Sequence, residues 1–331
     1  MKRTIGIMLL FCSVTMAGCK YKTDTNGSTK ADNAVEWMRF EEVMFDTQPE
    51  HLQSKLTQAA PLFGSSLLNI HPDNPEYMSQ IIGMAQDPTC RELYDTVQKH
   101  YADLSWLNKK MDKAMARSLK LDESMKCPKA ITFISGSLDY TNRVAADHSS
   151  LLIAIDQYVV PYFKKYGYFQ LPTYLVALST KEHILPDAMA ALARAHIVIA
   201  DGEMTLLDYM VADGKVQYYL HRTLPKTNDT LLFRYNAAQM SWAKAHTRDV
   251  WAFWIQHDLL FEKDYNEIFN FIEDAPKTNA FGDSAPRMTE YIGWQIVEAY
   301  MAKNKCTLHQ LFQNSDARQI LNDSGWKPNR K

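Results

Sequence analysis

Ten histidines are scattered through the 331 residues: His51, His71, His100, His148, His183, His196, His221, His246, His257 and His309. Zinc-dependent hydrolysis from a helix needs two histidines four residues apart. Both imidazoles then leave one face toward one metal, with a glutamate beside them as general base. No two histidines here are three, four or five residues apart, so no helix offers that pair. Nucleophile motifs of the G-x-S-x-G type, Walker-type loops and G-x-G-x-x-G are absent from the sequence as well. Glu182-His183 followed by Asp187 reads as the solvated start of a helix. Asp139, Asn142, Arg143, Asp147 and Asp156 gather polar groups around two short strands, and Asp139 to Arg143 reads as a capped turn. Cys90, Cys127 and Cys306 are widely spaced and form no C-x-x-C, so they support neither a zinc knuckle nor a thioredoxin-like site. They leave open one disulfide plus a thiol, or three buried thiols. Spacing therefore assigns no catalytic, cofactor-binding or metal-binding residue, and no cofactor is expected.

The residue with a defined chemical fate is Cys19. Met1-Lys2-Arg3, a short apolar run and Met16-Ala17-Gly18-Cys19 make a secretory signal, with an apolar core of roughly a dozen residues. That run is shorter than the about 20 apolar residues a membrane-spanning helix needs. A cysteine directly after Ala-Gly resembles a bacterial lipoprotein signal. The resemblance implies cleavage before Cys19, loss of residues 1–18, and lipid on the new amino-terminal cysteine. Residues 20–34 are polar and aperiodic and read as a flexible tether, spanning roughly 20–25 Å as a coil. Some outer-membrane lipoproteins of Bacteroidota-type bacteria carry an acidic stretch after the cysteine that exports them to the surface. Lys20-Tyr21-Lys22 stands there instead, which favours an outer-membrane anchor facing the periplasm. The net charge of −2, or −4 once Lys2 and Arg3 leave, points to neither nucleic acid nor an anionic surface as partner. The membrane, through lipid on Cys19, and an envelope protein are the partners expected.

The elements behind these residues read as mainly helical with a small sheet, an α+β class. Residues 35–331 are expected to form one globular domain, helical over 35–126 and mixed strand and helix over 127–331. Residues 36–45 open it as strand or helix. Apolar residues at three- and four-residue steps predict helices over 76–86 and 90–120, the second through Leu93, Val97, Tyr101, Leu104, Leu107, Met111 and Met115. Residues 130–136 predict a short strand closed by Gly136, and 151–156 a continuously apolar and therefore interior one. Helices are then predicted over about 186–199, 206–220, 237–261 and 286–303, and a last short one to Phe312 capped by Thr307. Gly293, inside one of these helices, costs about 1 kcal/mol against Ala and marks close approach of another backbone. Trp242, Trp251 and Trp254 are expected in the core.

Several blocks in order carry a resemblance. They are Ser137-Leu138-Asp139-Tyr140-Thr141-Asn142-Arg143, Ser241-Trp242-Ala243-Lys244-Ala245, Tyr291-Ile292-Gly293-Trp294-Gln295-Ile296-Val297, and Trp326-Lys327-Pro328 at the end. Behind a lipoprotein signal they resemble the gliding-motility lipoprotein GldB family, most closely from about residue 130 onward. Family members tend to carry Pro-Gly where this chain has Ala285-Pro286, and Gly at Thr289, so the turn entering that helix is expected to differ. The resemblance implies a tethered envelope component that acts by protein interaction rather than as an enzyme, and relatives also occur in bacteria that do not glide. It further implies a distant likeness to a zinc-peptidase-like scaffold that has degenerated. Where active enzymes carry H-E-x-x-H, Leu192 and Ala193 replace the first His and the Glu, and only His196 remains, with Asp213 near a third-ligand position. A hydrolase built on His196 and a ligand-binding lipoprotein are the alternatives.

Overall fold

Proline and a capping side chain start the early helices. In the computed structural model, which describes residues 34–63, 67–136, 143–165 and 171–328, β1 (Glu36–Arg39) runs directly into α1 (Phe40–Phe45), then α2 (Pro49–Phe63), α3 (Pro75–Gln86) and α4 (Pro88–Tyr101). The Asn74 and Asp87 carboxamide and carboxylate accept the first free N–H groups of α3 and α4, where proline at the first helical position has no N–H to lose. The single helix expected over 90–120 is two. α4 ends at Tyr101, and the Asp103 carboxylate accepts from Ser105 N at 2.8 Å as α5 (Ser105–Leu121) begins. The apolar steps continue across the break, which is why the pattern hides it.

The sheet has the order β1-β2-β4-β3, with β2 Lys129–Phe133, β3 Val144–Ala146 and β4 Ser150–Ala154. β1, β2 and β4 are parallel and β3 is antiparallel to β4, with Trp37 beside Ala130, Ile131 beside Leu152 and Ala145 beside Leu152. Every residue of β4 is buried, as its unbroken apolar run requires. The Asp147 carboxylate accepts from Ser149 N and Ser150 N, both at 2.7 Å, and closes the β3–β4 turn. The buried Asp156 carboxylate accepts from Ser135 N (3.0 Å), Ser135 Oγ (2.9 Å) and Gly136 N (3.1 Å), which ends β2 in a turn where Gly136 takes φ +61°. Burial pushes the Asp156 carboxyl up to about 6 despite these donors.

The rest is helical: α6 Thr173–Ala177, α7 Ile184–His196, α8 Leu206–Thr223, α9 Asp229–Leu232, α10 Ala237–Gln256, α11 Tyr265–Ile272, α12 Met288–Lys303, α13 Leu308–Gln313 and α14 Ala317–Ser324. Reciprocal capping boxes start α8 (Thr205 with Asp208), α10 (Asn236 with Gln239) and α13 (Thr307 with Gln310). Helices α8 and α12 cross with Gly214 against Gly293. A Cβ on Gly293 would stand 1.8 Å from the Met210 carbonyl oxygen, so the close approach expected there is backbone on backbone. Trp254 is fully buried, while Trp242 and Trp251 lie partly buried against the core. Cys90, Cys127 and Cys306 are half-buried free thiols, so the disulfide alternative falls. Cys19 and the stretch from Ser137 to Asn142 lie outside the described residues.

Candidate functional site

The main cavity, about 600 Å³, opens between the edge strand β3, helices α7 and α8, and the chain segments before α10 and α12. Its lining carries four arginines (Arg143, Arg194, Arg234, Arg287) and five acids (Asp187, Asp213, Glu273, Asp274, Glu290). Arg287 occupies the N-cap position of α12 in a left-handed conformation, φ 46°. It donates to Phe233 O at 3.0 Å, pairs with Asp274 (2.9 Å) and forms a short ion pair with Glu290 one turn on. Burial works against its charge, but Glu290 and Asp274 outweigh burial and hold the guanidinium charged. Burial likewise opposes the Asp274 charge, and Arg287 and Arg234 overcome it, leaving that carboxyl below its usual range. On the α7 side, the Asp187 carboxylate accepts from Tyr158 Oη at 2.9 Å, and Arg143 donates to Leu178 O at 2.8 Å with Asp187 4.0 Å away.

Glu273 accepts from Tyr265 Oη rather than from an arginine, and Asp213 is paired only loosely. Its nearest cation is Arg194 at 3.9 Å, and that arginine side chain is 55% exposed. Burial, reinforced by Glu290, pushes the Asp213 carboxyl up to about 7, beyond what Arg194 and Arg287 hold down. Gln217, one turn along α8, gives both amide hydrogens to acceptors, Leu232 O at 3.1 Å and Glu290 at 3.3 Å, and its Oε1 is buried without a donor.

The chain matches, over residues 19–328, the family model described as Gliding motility protein GldB. The chain belongs to the GldB family. No curated protein and no solved structure matches it. Within this GldB-family fold the residues weighed from sequence do not assemble. The face of α7 turned to the cavity is Asp187, Ala190, Ala191 and Arg194, whereas Leu192 and Ala193 point into the core, 2% and 0% exposed. His196 lies at the end of α7, its Nδ1 2.9 Å from Leu192 O. It opens into a separate cavity of about 340 Å³ with His148, ring centroids 4.6 Å apart, and His309. Burial depresses the His196 imidazole, and His309 is held instead by Asp122 at 3.4 Å. Asp213 and His196 thus face different cavities. Among the described residues, no three His, Cys, Asp or Glu side chains are grouped to hold a metal ion. His183, the other histidine weighed, pairs with Thr180 Oγ1 at 3.0 Å.

Arg234, Asp274, Gln217 and the Arg287–Glu290 pair escape a spacing search because they come from different elements. The available signals are local. Glu290 directly precedes the Tyr291-to-Val297 block, and Asp213 and Gln217 lie one turn apart on α8. No helix among the described residues is long and apolar enough to cross a membrane.

Proposed function

We propose that the protein is a lipoprotein anchored through Cys19 in the outer membrane, facing the periplasm, where it serves a gliding or envelope machine by binding rather than catalysis. The family model begins its match at Cys19, the residue expected to carry lipid, which supports the anchor and the 19–34 tether ahead of one domain. The observation that carries the binding reading is the lining of the main cavity. It presents charged groups largely paired with one another, and among the described residues its lining holds no Ser, Thr, Cys, His, Lys or Tyr, leaving carboxylates as its only acid–base groups. A degenerate zinc-peptidase-like ancestry stays a matter of resemblance alone, because the positions it assigns, Leu192, Ala193 and His196, face the core or a separate cavity.

The test is complementation of a strain lacking the gene. Cys19→Ala should lose both membrane retention and function. Arg194→Glu, at the exposed rim of the cavity, should lose function while the protein stays folded and anchored. His196→Ala should retain function. Loss of function in His196→Ala with the fold intact would replace this reading by the hydrolase one.

A further inference from the structure

A third cavity, about 360 Å³, differs from the ionic one in sign. One face of α5 supplies Trp106, Lys110, Lys113 and Arg117, spaced at i, i+4, i+7 and i+11, so that they stack along one stripe. The opposite wall adds Lys181, from the turn before α7, and Lys226, just past α8. Lys181 Nζ sits 4.3 Å and Lys110 Nζ 5.5 Å from the Trp106 ring centroid. Among the described residues none of these five cations makes an ion pair. Arg117 donates only to the carbonyls of Thr223 and Lys113. The one acid on the wall, Glu182, is engaged by Thr180. The one acid on α5, Asp112, is engaged elsewhere, accepting from Val35 N at 3.1 Å. The Trp106 indole N–H is buried without an acceptor.

Five like charges converging on one concavity repel each other, and an anion entering it relieves that cost. The net charge of the chain conceals this patch because it averages over the whole surface.

The Val35–Asp112 bond decides which anion. Val35 N donates to the Asp112 carboxylate at 3.1 Å, which fastens the segment entering β1 to α5. A chain anchored at Cys19 therefore brings this helix to within one tether of the bilayer. We propose that the basic face of α5 docks on anionic phospholipid headgroups, with a headgroup phosphate entering the cavity beside Trp106. The orientation this gives rests on the Cys19 anchor, whereas the affinity of the face for anionic lipid does not. Lysines near an anionic leaflet gain attraction that falls off within a Debye length, and tryptophan favours the headgroup level.

The experiment uses the mature chain from residue 19 with Cys19→Ser, so that no acyl chain contributes, and vesicles of phosphatidylcholine with or without phosphatidylglycerol. The chain should cosediment with the anionic vesicles only and be released by high salt. Lys110→Gln/Lys113→Gln/Lys181→Gln should weaken binding more than about tenfold. Lys244→Gln/Lys263→Gln/Lys305→Gln, exposed lysines outside the cavity, should leave it within about twofold. No cosedimentation, or equal loss in both triple variants, overturns the proposal. So does tight binding of inorganic phosphate or a single-stranded oligonucleotide that vesicles fail to match. The mass of the amino-terminal peptide from the wild-type protein in cells reads the anchor separately. An unmodified Cys19 there would sink the anchored reading and leave the vesicle result standing.

Discussion

Replacing Gly293 by Ala tests whether the α8–α12 crossing organises the molecule. Two effects compete. Alanine is the better helix former by about 1 kcal/mol, which favours the variant. Against it, the new methyl would lie 1.8 Å from Met210 O and 2.8 Å from the Met210 carbonyl carbon. Both obstacles are backbone, so no side chain can rotate away. Reopening the contact to a normal separation of about 3.5 Å requires α12 to withdraw by about 1.5–2 Å. That movement loosens Met210, Ile292, Ile296 and Val297, all fully buried along the same crossing. Overpacking of a filled core costs typically about 1–3 kcal/mol, and a rigid backbone obstacle puts this site at the upper end. Packing wins, with a net loss of about 2 kcal/mol or more, and a fall in Tm of about 3 °C or more for a domain of this size. Gly83 is the control, because it sits exposed near the end of α3 and a Cβ there meets nothing within 4 Å. Gly83→Ala should gain about 1 kcal/mol. Urea unfolding of the mature Cys19→Ser chain measures both. A Gly293→Ala variant as stable as the parent would refute the claim that the two backbones touch.

The Asp213 carboxyl has its folded value raised from 3.8 to about 7, so its contribution to stability is fully present below the lower value and is lost as pH climbs through the upper one. Asp213→Asn should match the wild type near pH 4 and become the more stable protein by pH 8, read from Tm against pH; parallel curves would show that burial does not penalise this charge. Arg39→Ala should cost about 3–5 kcal/mol in denaturant unfolding, because it strips the 2.7 Å partner from the fully buried Glu41 and leaves only Thr132 Oγ1 at 3.0 Å; a loss below about 1 kcal/mol would mean that Glu41 is folded in as the neutral acid. Denatured without reductant, the mature Cys19→Ser chain should titrate three thiols, whereas one would reveal a disulfide. In the native state Cys90 should react slowest at neutral pH, since burial and Asp87 push its thiol up to about 11.

Local order was legible wherever a residue type constrains the backbone without help from distant partners. Thr307 reads as a cap and forms a capping box with Gln310. The apolar run at 151–156 reads as an interior strand, although the extended part ends at Ala154 and Ile155–Tyr158 turn as a 3-10 helix. Gly293 reads as a close approach because it lies within a run of core side chains, whereas Gly83, exposed in α3, meets no neighbour. The α4–α5 break was illegible because Leu104 keeps the apolar step. The ionic cavity was illegible for a deeper reason. Arg143, Arg234, Asp274 and Arg287 look in sequence like solvated surface charges, and only long-range folding brings them together. His196 carries no site on its own, because one surviving histidine fixes a helix register only if its neighbours face the cleft, and Leu192 and Ala193 face the core.

The two charged cavities differ in what they leave unmatched, and this separates their roles. In the basic cavity five cations face one acid, Glu182, so a ligand supplies attraction that the fold largely lacks. In the ionic cavity the arginines and carboxylates already face one another, and a ligand gains only by exchanging one pair for another. Such exchange yields discrimination more readily than affinity. Asp213 tips the balance. With it protonated, four guanidinium groups face four carboxylates; ionised, it makes the lining net negative. A partner group bearing a carboxylate is then favoured on the acid side of neutrality and a cationic one on the alkaline side. On the two proposals together, the basic face would set where the molecule sits and the ionic cavity what it accepts there.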